Sequence, residues 1–129
     1  MPAHRIAHYN FRLNRELLSI VADFYVKVVG LAIGDRPPFR SYGVWLYADG
    51  DDLLHLSEED EHDTRLVGSY LTFDHVAIEC SNWPEYEQRL IAHGVDYHVD
   101  RVPGTGIRQV FFRDPAGNGV ELIFKRGDS

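Results

Sequence analysis

The chain is predicted to fold as an α+β protein made of two tandem βαβββ modules, and three observations predict it. The sequence nearly repeats itself: His8-Tyr9-Asn10-Phe11-Arg12-Leu13 returns 67 positions on as His75-Val76-Ala77-Ile78-Glu79-Cys80, and Leu54-His55-Leu56 returns 66 positions on as Val120-Glu121-Leu122. Each half then runs through the same order of periodicities, an alternating segment, a helical one and three more alternating ones. Glycine, proline, asparagine and aspartate stand at the joints between them. A module of roughly 50 residues buries too little surface to be comfortable alone. One domain over 1–129 is therefore expected, with module one at 4–57, an acidic linker at 58–71 and module two at 72–125.

In module one, residues 5–13 alternate as a strand. Asn14 is a plausible N-cap for a helix to Val29, with Leu17, Leu18, Val21, Phe24, Tyr25 and Val28 at helical spacing and Gly30 as its stop. Leu31 to Ile33 starts a short strand, Pro37-Pro38 breaks it, Tyr42 to Ala48 forms a third, and Leu53 to Ser57 a fourth after the Asp49-Gly50 turn. In module two, Thr72 to Cys80 is a strand. Asn82 and Glu85 read as a capping box with Pro84 in the first turn, and Gly94 ends that helix. Val95 to Asp100, Arg108 to Arg113 and Val120 to Phe124 complete the module, separated by turns at 103–106 and 114–119.

The bulk chemistry excludes several classes. A net charge of −7 with scattered basic residues disfavours nucleic acid and anionic membranes, which need a basic surface. The run Glu58-Glu59-Asp60-Glu61 reads as a solvated linker. One cysteine, Cys80, permits no internal disulfide, fits a reducing compartment and falls on an apolar strand face, so it reads as a small core residue. No segment has the length of a membrane span and 1–13 lacks a secretion signal, which makes cytoplasmic the expected location. Gly104-Thr105-Gly106 leads into a strand and so reads as a turn, without the helix N-terminus that a phosphate loop requires.

Strand alternation sorts the side chains by face. Tyr9, Phe11 and Leu13, Leu54 and Leu56, Val76, Ile78 and Cys80, and Val120, Leu122 and Phe124 form apolar sets that belong under the helices. His8, His55, His75 and Glu121 point the other way. If first and last strands neighbour each other in each sheet, a histidine and a second ligand from each module can meet in a cleft. Three imidazoles and a carboxylate make a nitrogen-rich site for one divalent transition metal, Zn, Ni, Co, Fe or Mn, and a poor one for Ca or Mg. His4, His62, His93 and His98 have no counterpart in the other half and read as ordinary surface residues.

In order and spacing, His8-x-x-Phe11-Arg12, Phe24-Tyr25-Val26-Lys27-Val28-Val29-Gly30-Leu31, Asp74-His75-Val76-Ala77 and Phe112-Arg113-Asp114-Pro115-x-Gly117-x-x-Val120-Glu121-Leu122 resemble the vicinal oxygen chelate superfamily. That group holds glyoxalase I, bleomycin-resistance proteins, extradiol dioxygenases, fosfomycin-resistance enzymes and methylmalonyl-CoA epimerase. The resemblance implies an open, curved mixed-sheet barrel around a metal cleft, usually in a homodimer, with ligands from the first and last strand of each module. Those places hold His8, His55, His75 and Glu121. Glu121 matches the metal-ligating carboxylate that moves the proton in glyoxalase I, and Arg12 matches an arginine that contacts a glutathione carboxylate. Where glyoxalase I has a glutamate, this chain has His55.

The expected function is metal-dependent lyase or isomerase chemistry of the glyoxalase type, with Glu121 catalytic, on a small substrate that chelates through vicinal oxygens. Arg12, Trp45, Tyr47, Arg108 and Phe111 are the candidate substrate contacts. Two alternatives stay open: a non-haem Fe(II) dioxygenase using His8, His75 and Glu121 as a two-histidine, one-carboxylate triad, and a non-catalytic small-molecule binding or resistance protein whose aromatic residues stack on the ligand.

Overall fold

The computed structural model describes residues 4–59 and 75–125. The chain divides into two compact units, Met1–Arg65 and Leu66–Ser129. Most of the acidic linker, His62 and the strand start predicted at 72–74 lie outside the described residues.

In the first unit, β1 (Tyr9–Leu13), β2 (Ala32–Gly34), β3 (Gly43–Ala48) and β4 (Asp51–Glu58) form one sheet in the order β1-β4-β3-β2. β1 and β4 run parallel, which makes the first and last strands of the module neighbours. Helix α1 (Arg15–Phe24) connects β1 to β2. Asn14 Oδ1 accepts from the Leu17 backbone N–H at 2.9 Å, as its place as N-cap requires. The helix predicted to reach Val29 instead widens into a π-helical turn over Tyr25–Val29, where the amides of Gly30 and Leu31 both donate to the Tyr25 carbonyl. This wide turn keeps Tyr25, Val28, Val29 and Leu31 all buried, and Gly30 closes it at a φ of 94°, a value that suits glycine.

β3 and β4 are out of step at one place. Leu46 faces Leu54, yet Tyr47 faces Asp52, so Leu53 is an extra residue in β4. The pairing of β1 with β4 begins at Tyr9 and Leu54, just past this bulge, and the strand expected from residue 5 therefore starts at residue 9.

In the second unit, β5 (His75–Cys80), β6 (His98–Val102), β7 (Ile107–Arg113) and β8 (Gly119–Phe124) pair in the order β5-β8-β7-β6, and β5 and β8 are again parallel. β6 falls later than the predicted 95–100. Its partner residues on β7 run from Ile107 to Phe111, and Tyr97 is drawn off the sheet, its hydroxyl donating to Glu87 at 2.8 Å and its ring edge-on to Trp83. The capping box does not form. Asn82 takes a left-handed backbone (φ 68°) and its amide donates to the Glu85 carboxylate at 3.0 Å, leaving the helix α2 (Trp83–Ala92) without a side-chain N-cap.

Each sheet packs its apolar face under its own helix. Leu18, Val21, Leu46, Leu54 and Leu56 are buried in the first unit, and Leu90, Val110, Val120, Leu122 and Phe124 in the second. Burial also sets the chemistry of two polar neighbours. It pushes the Cys80 thiol up, away from nucleophilic use. It pushes the Tyr86 phenol up to about 12, with the hydrogen bond to Cys80 a second cause. A raised phenol favours the folded state below its unfolded value near 10, and that advantage is lost as pH rises through about 12. Tyrosinate absorbance is thus expected to show late-titrating phenols, of which Tyr86→Phe removes one; a Tyr86→Phe titration indistinguishable from wild type contradicts it. No described helix is long and apolar enough to cross a membrane.

Candidate metal centre

On the sheet face that α1 does not cover, β1 pairs Asn10 with His55, and β3 pairs Trp45 with His55. His8 lies one alternation before Asn10 and so shares their face. The His8 and His55 rings stack at 3.8 Å between centroids, 14° from parallel, and Trp45 stacks on the other side of His55 at 3.9 Å and 8°. His55 is only 7% exposed.

Asp52 completes the cluster. Its carboxylate Oδ2 lies 2.6 Å from His55 Nε2, and that hydrogen bond holds the carboxyl below the usual carboxylate range. An ionised carboxylate accepts, so Nε2 is the nitrogen that donates to Asp52, and a metal would take the Nδ1 side of the neutral ring. The ligand atoms of His8, Asp52 and His55 all lie within 4.8 Å of one another. Metal bonds of about 2.0–2.2 Å separate two ligands by at most about 4.4 Å. The donor types suit a transition-metal ion, and the three side chains would draw closer together to share one.

Asp52 was not among the predicted ligands. Strict alternation would place it with Leu54 and Leu56 on the apolar face. The bulge at Leu53 turns it to the His55 side. A carboxylate due to point into the core was itself the available signal, because an unpaired buried charge is costly.

The second unit repeats the geometry. β5 pairs Ala77 with Glu121, β7 pairs Phe111 with Glu121, and His75 lies one alternation before Ala77. His75, Ala77, Phe111 and Glu121 thus stand where His8, Asn10, Trp45 and His55 stand in the first sheet. His75 Nε2 is 3.1 Å from Glu121 Oε1. Gln109 donates to the other carboxylate oxygen at 3.2 Å, and Phe111 meets the His75 ring edge-on at 6.2 Å. Glu121 is 5% exposed. Gln109 is a further residue that sequence reading passed over; it lies two before Phe111 and hence on the same face.

Residues 5–122 match the sequence model of the Glyoxalase/Bleomycin resistance protein/Dioxygenase superfamily. The chain belongs to this superfamily. Solved structures agree in fold. A glyoxylase/bleomycin resistance protein/dioxygenase domain from Frankia sp. EAN1pec superposes with a TM-score of 0.73 at 18% identity, covering 98% of this chain and 96% of that one. Lactoylglutathione lyase from Agrobacterium tumefaciens gives 0.65 at 22%, covering 96% of each chain. TnmS3, an antibiotic binding protein from Streptomyces sp. CB03234, gives 0.65 at 23%, covering 97% and 98%. At such identities the likeness is one of fold. No curated protein matches in sequence.

The superfamily fold leaves the five predicted substrate contacts in different places. Trp45 and Arg12 line a cavity of about 490 Å³ together with His8, Asp52 and His55. Phe111 lines a smaller one of about 230 Å³ with His75 and Arg113. Tyr47 is engaged elsewhere: its ring covers Gly34 and its hydroxyl donates to the Asp35 carbonyl at 2.6 Å. Arg108 sits on the helix side of its sheet, opposite the buried Phe124, with its guanidinium 5.5 Å from the Trp83 ring. Neither Tyr47 nor Arg108 borders the two cavities described.

Proposed function

We propose that the protein is a divalent-metal-dependent lyase or isomerase of the glyoxalase type, acting on a small molecule that offers two neighbouring oxygens to the metal. His8, His55, His75 and Glu121 are the ligands in this reading, a histidine and a second donor from each module as the internal repeat suggests. The observation that carries it is the shared register: each sheet sets its second donor, His55 or Glu121, on the face its helix leaves uncovered, with His8 or His75 beside it at an equivalent place. Bound there, such an ion would act as a Lewis acid, acidifying the proton beside a carbonyl and stabilising negative charge on its oxygen.

The chain's own groups supply the rest. Glu121 has one oxygen towards His75 and the other held by Gln109, so its carboxylate is fixed in orientation before substrate arrives. It is the base that accepts and returns the proton. Asp52 fixes the tautomer of His55, as an outer carboxylate commonly does for a ligating imidazole. The Trp45 and Phe111 rings wall the ligand pairs.

A second reading rests on Asp52. His8, His55 and Asp52 form a two-histidine, one-carboxylate set within one unit, the donor type of non-haem Fe(II) oxygenases. Elemental analysis of protein purified without added metal separates the two. Under the first reading, metal is bound stoichiometrically and is lost in His8→Ala, His55→Ala, His75→Ala and Glu121→Ala. Under the second, His8→Ala, His55→Ala and Asp52→Asn lose it while His75→Ala and Glu121→Ala keep it. Wild-type protein that takes up no transition metal at all would sink both.

A further inference from the structure

Arg36 stands in the loop between β2 and β3 and lines the same 490 Å³ cavity as His8, Asp52 and His55. Its guanidinium is only half engaged. Nη1 donates to the Ser41 carbonyl at 3.0 Å, whereas Nη2 reaches Ser41 Oγ at 3.4 Å, beyond the usual range. Nε is closed off from solvent and has no acceptor. A buried charged donor left unmet is rare in native proteins and asks for a partner. The Nε–Nη2 edge is the one with which Arg15 grips Glu58 in this same chain, at 2.9 and 3.1 Å. Arg36 therefore keeps donor capacity along its Nε–Nη2 edge that no described side chain takes up, and an oxyanion would grip both nitrogens once a small shift of the side chain uncovers Nε.

The surroundings are built for that side chain. A Cβ on Gly43 would come within 2.7 Å of Nη2, so the missing side chain on β3 leaves the guanidinium its space. Phe39 lies 4.9 Å from the Arg36 guanidinium carbon and is 54% exposed. Beyond it come Trp45, at 6.2 Å, and then His55. An aromatic wall, turned by 45° between Phe39 and Trp45, thus runs from the guanidinium to a candidate metal ligand. Charge agrees: Arg36 lines the cavity, and Asp52, the one carboxylate among its described lining residues, is taken by His55. In a chain of net charge −7 this is a local positive spot, suited to draw in an anion.

We infer that Arg36 is the specificity residue for an acid: the substrate carries a carboxylate or comparable oxyanion on a flat, apolar body. That this body also presents oxygens to a metal rests on the function proposed above; the oxyanion site itself does not. The test uses chelator-treated protein, titrated calorimetrically with benzoate and with its neutral counterpart benzamide. Benzoate is expected to bind at least about tenfold tighter, the worth of a charge-assisted pair. Arg36→Gln should erase that preference, and Arg36→Lys should restore part of it, a point charge without the fork. In case the variants fold poorly, wild-type protein with 15N-labelled arginine gives an independent readout: benzoate, and not benzamide, should shift one arginine Nε–H signal, the one missing from Arg36→Lys. Equal binding of the two probes, a preference that survives Arg36→Gln, or no shifted Nε–H signal would overturn the inference. Because metal is absent throughout, failure of the metal reading leaves these outcomes unchanged.

Discussion

Glu121→Gln is expected to abolish proton transfer while keeping an oxygen donor beside His75. A positioned general base contributes roughly 10²–10⁴-fold to such steps, and the amide cannot accept the proton. The readout need not await a physiological substrate. Hydroxyacetone offers neighbouring oxygens and an acidic carbon-bound proton, so metal-loaded wild-type protein should exchange that proton for solvent deuterium, followed by NMR. Exchange should fall by about 10²–10⁴-fold in Glu121→Gln. Glu121→Asp keeps the carboxylate but withdraws it from Gln109, and should fall in between. The sheet makes this residue the choice: Glu121 is buried, oriented from two sides and paired with a histidine. Undiminished exchange in the glutamine variant would remove it from the chemistry and move weight to Asp52.

Phe124→Ala should be the most destabilising of the simple truncations. Phe124 is 0% exposed and is met edge-on by Trp83 at 5.6 Å and Tyr86 at 5.7 Å, which tie helix α2 to β8. Removing a fully buried aromatic ring costs about 3–5 kcal/mol, a large part of the roughly 5–15 kcal/mol that holds a domain folded. Urea unfolding would measure it as a lower midpoint with little change in slope. The strand concerned also carries Glu121, so metal affinity should weaken along with stability. A loss below about 1 kcal/mol would mean that the helix is not anchored where the rings place it.

The two sites were unequally legible. His75, Glu121 and Phe111 followed from alternation because β7 and β8 pair without a break from Arg108 to Arg113, so a period of two carries each side chain to the face it predicts. Arg108 obeys the same rule. Its parity with Val110 and Phe112, both buried, already puts it on the helix side. In module one the pairing is interrupted. One extra residue at Leu53 reverses the parity of everything before it in β4, which turned Asp52 towards His55. Asn82 and Glu85 had the spacing of a capping box, but the left-handed backbone at Asn82 aims its side chain at the carboxylate.

The amino-acid sequence by itself determined the duplicated α+β architecture, the parity of most strand residues and hence the four ligand candidates, because these follow from local period and composition. Tertiary pairing alone decided the rest. It selected which strands are neighbours, where the ladder slips and which loop residue is pressed against a glycine. That is why, whereas Gln109 already shared the parity of Phe111, the turn of Asp52 towards His55 and the place of Arg36 beside Gly43 became visible only in three dimensions. Their positions depend on hydrogen-bond register between segments distant in sequence, and a shift of one residue there changes the face without changing the letters.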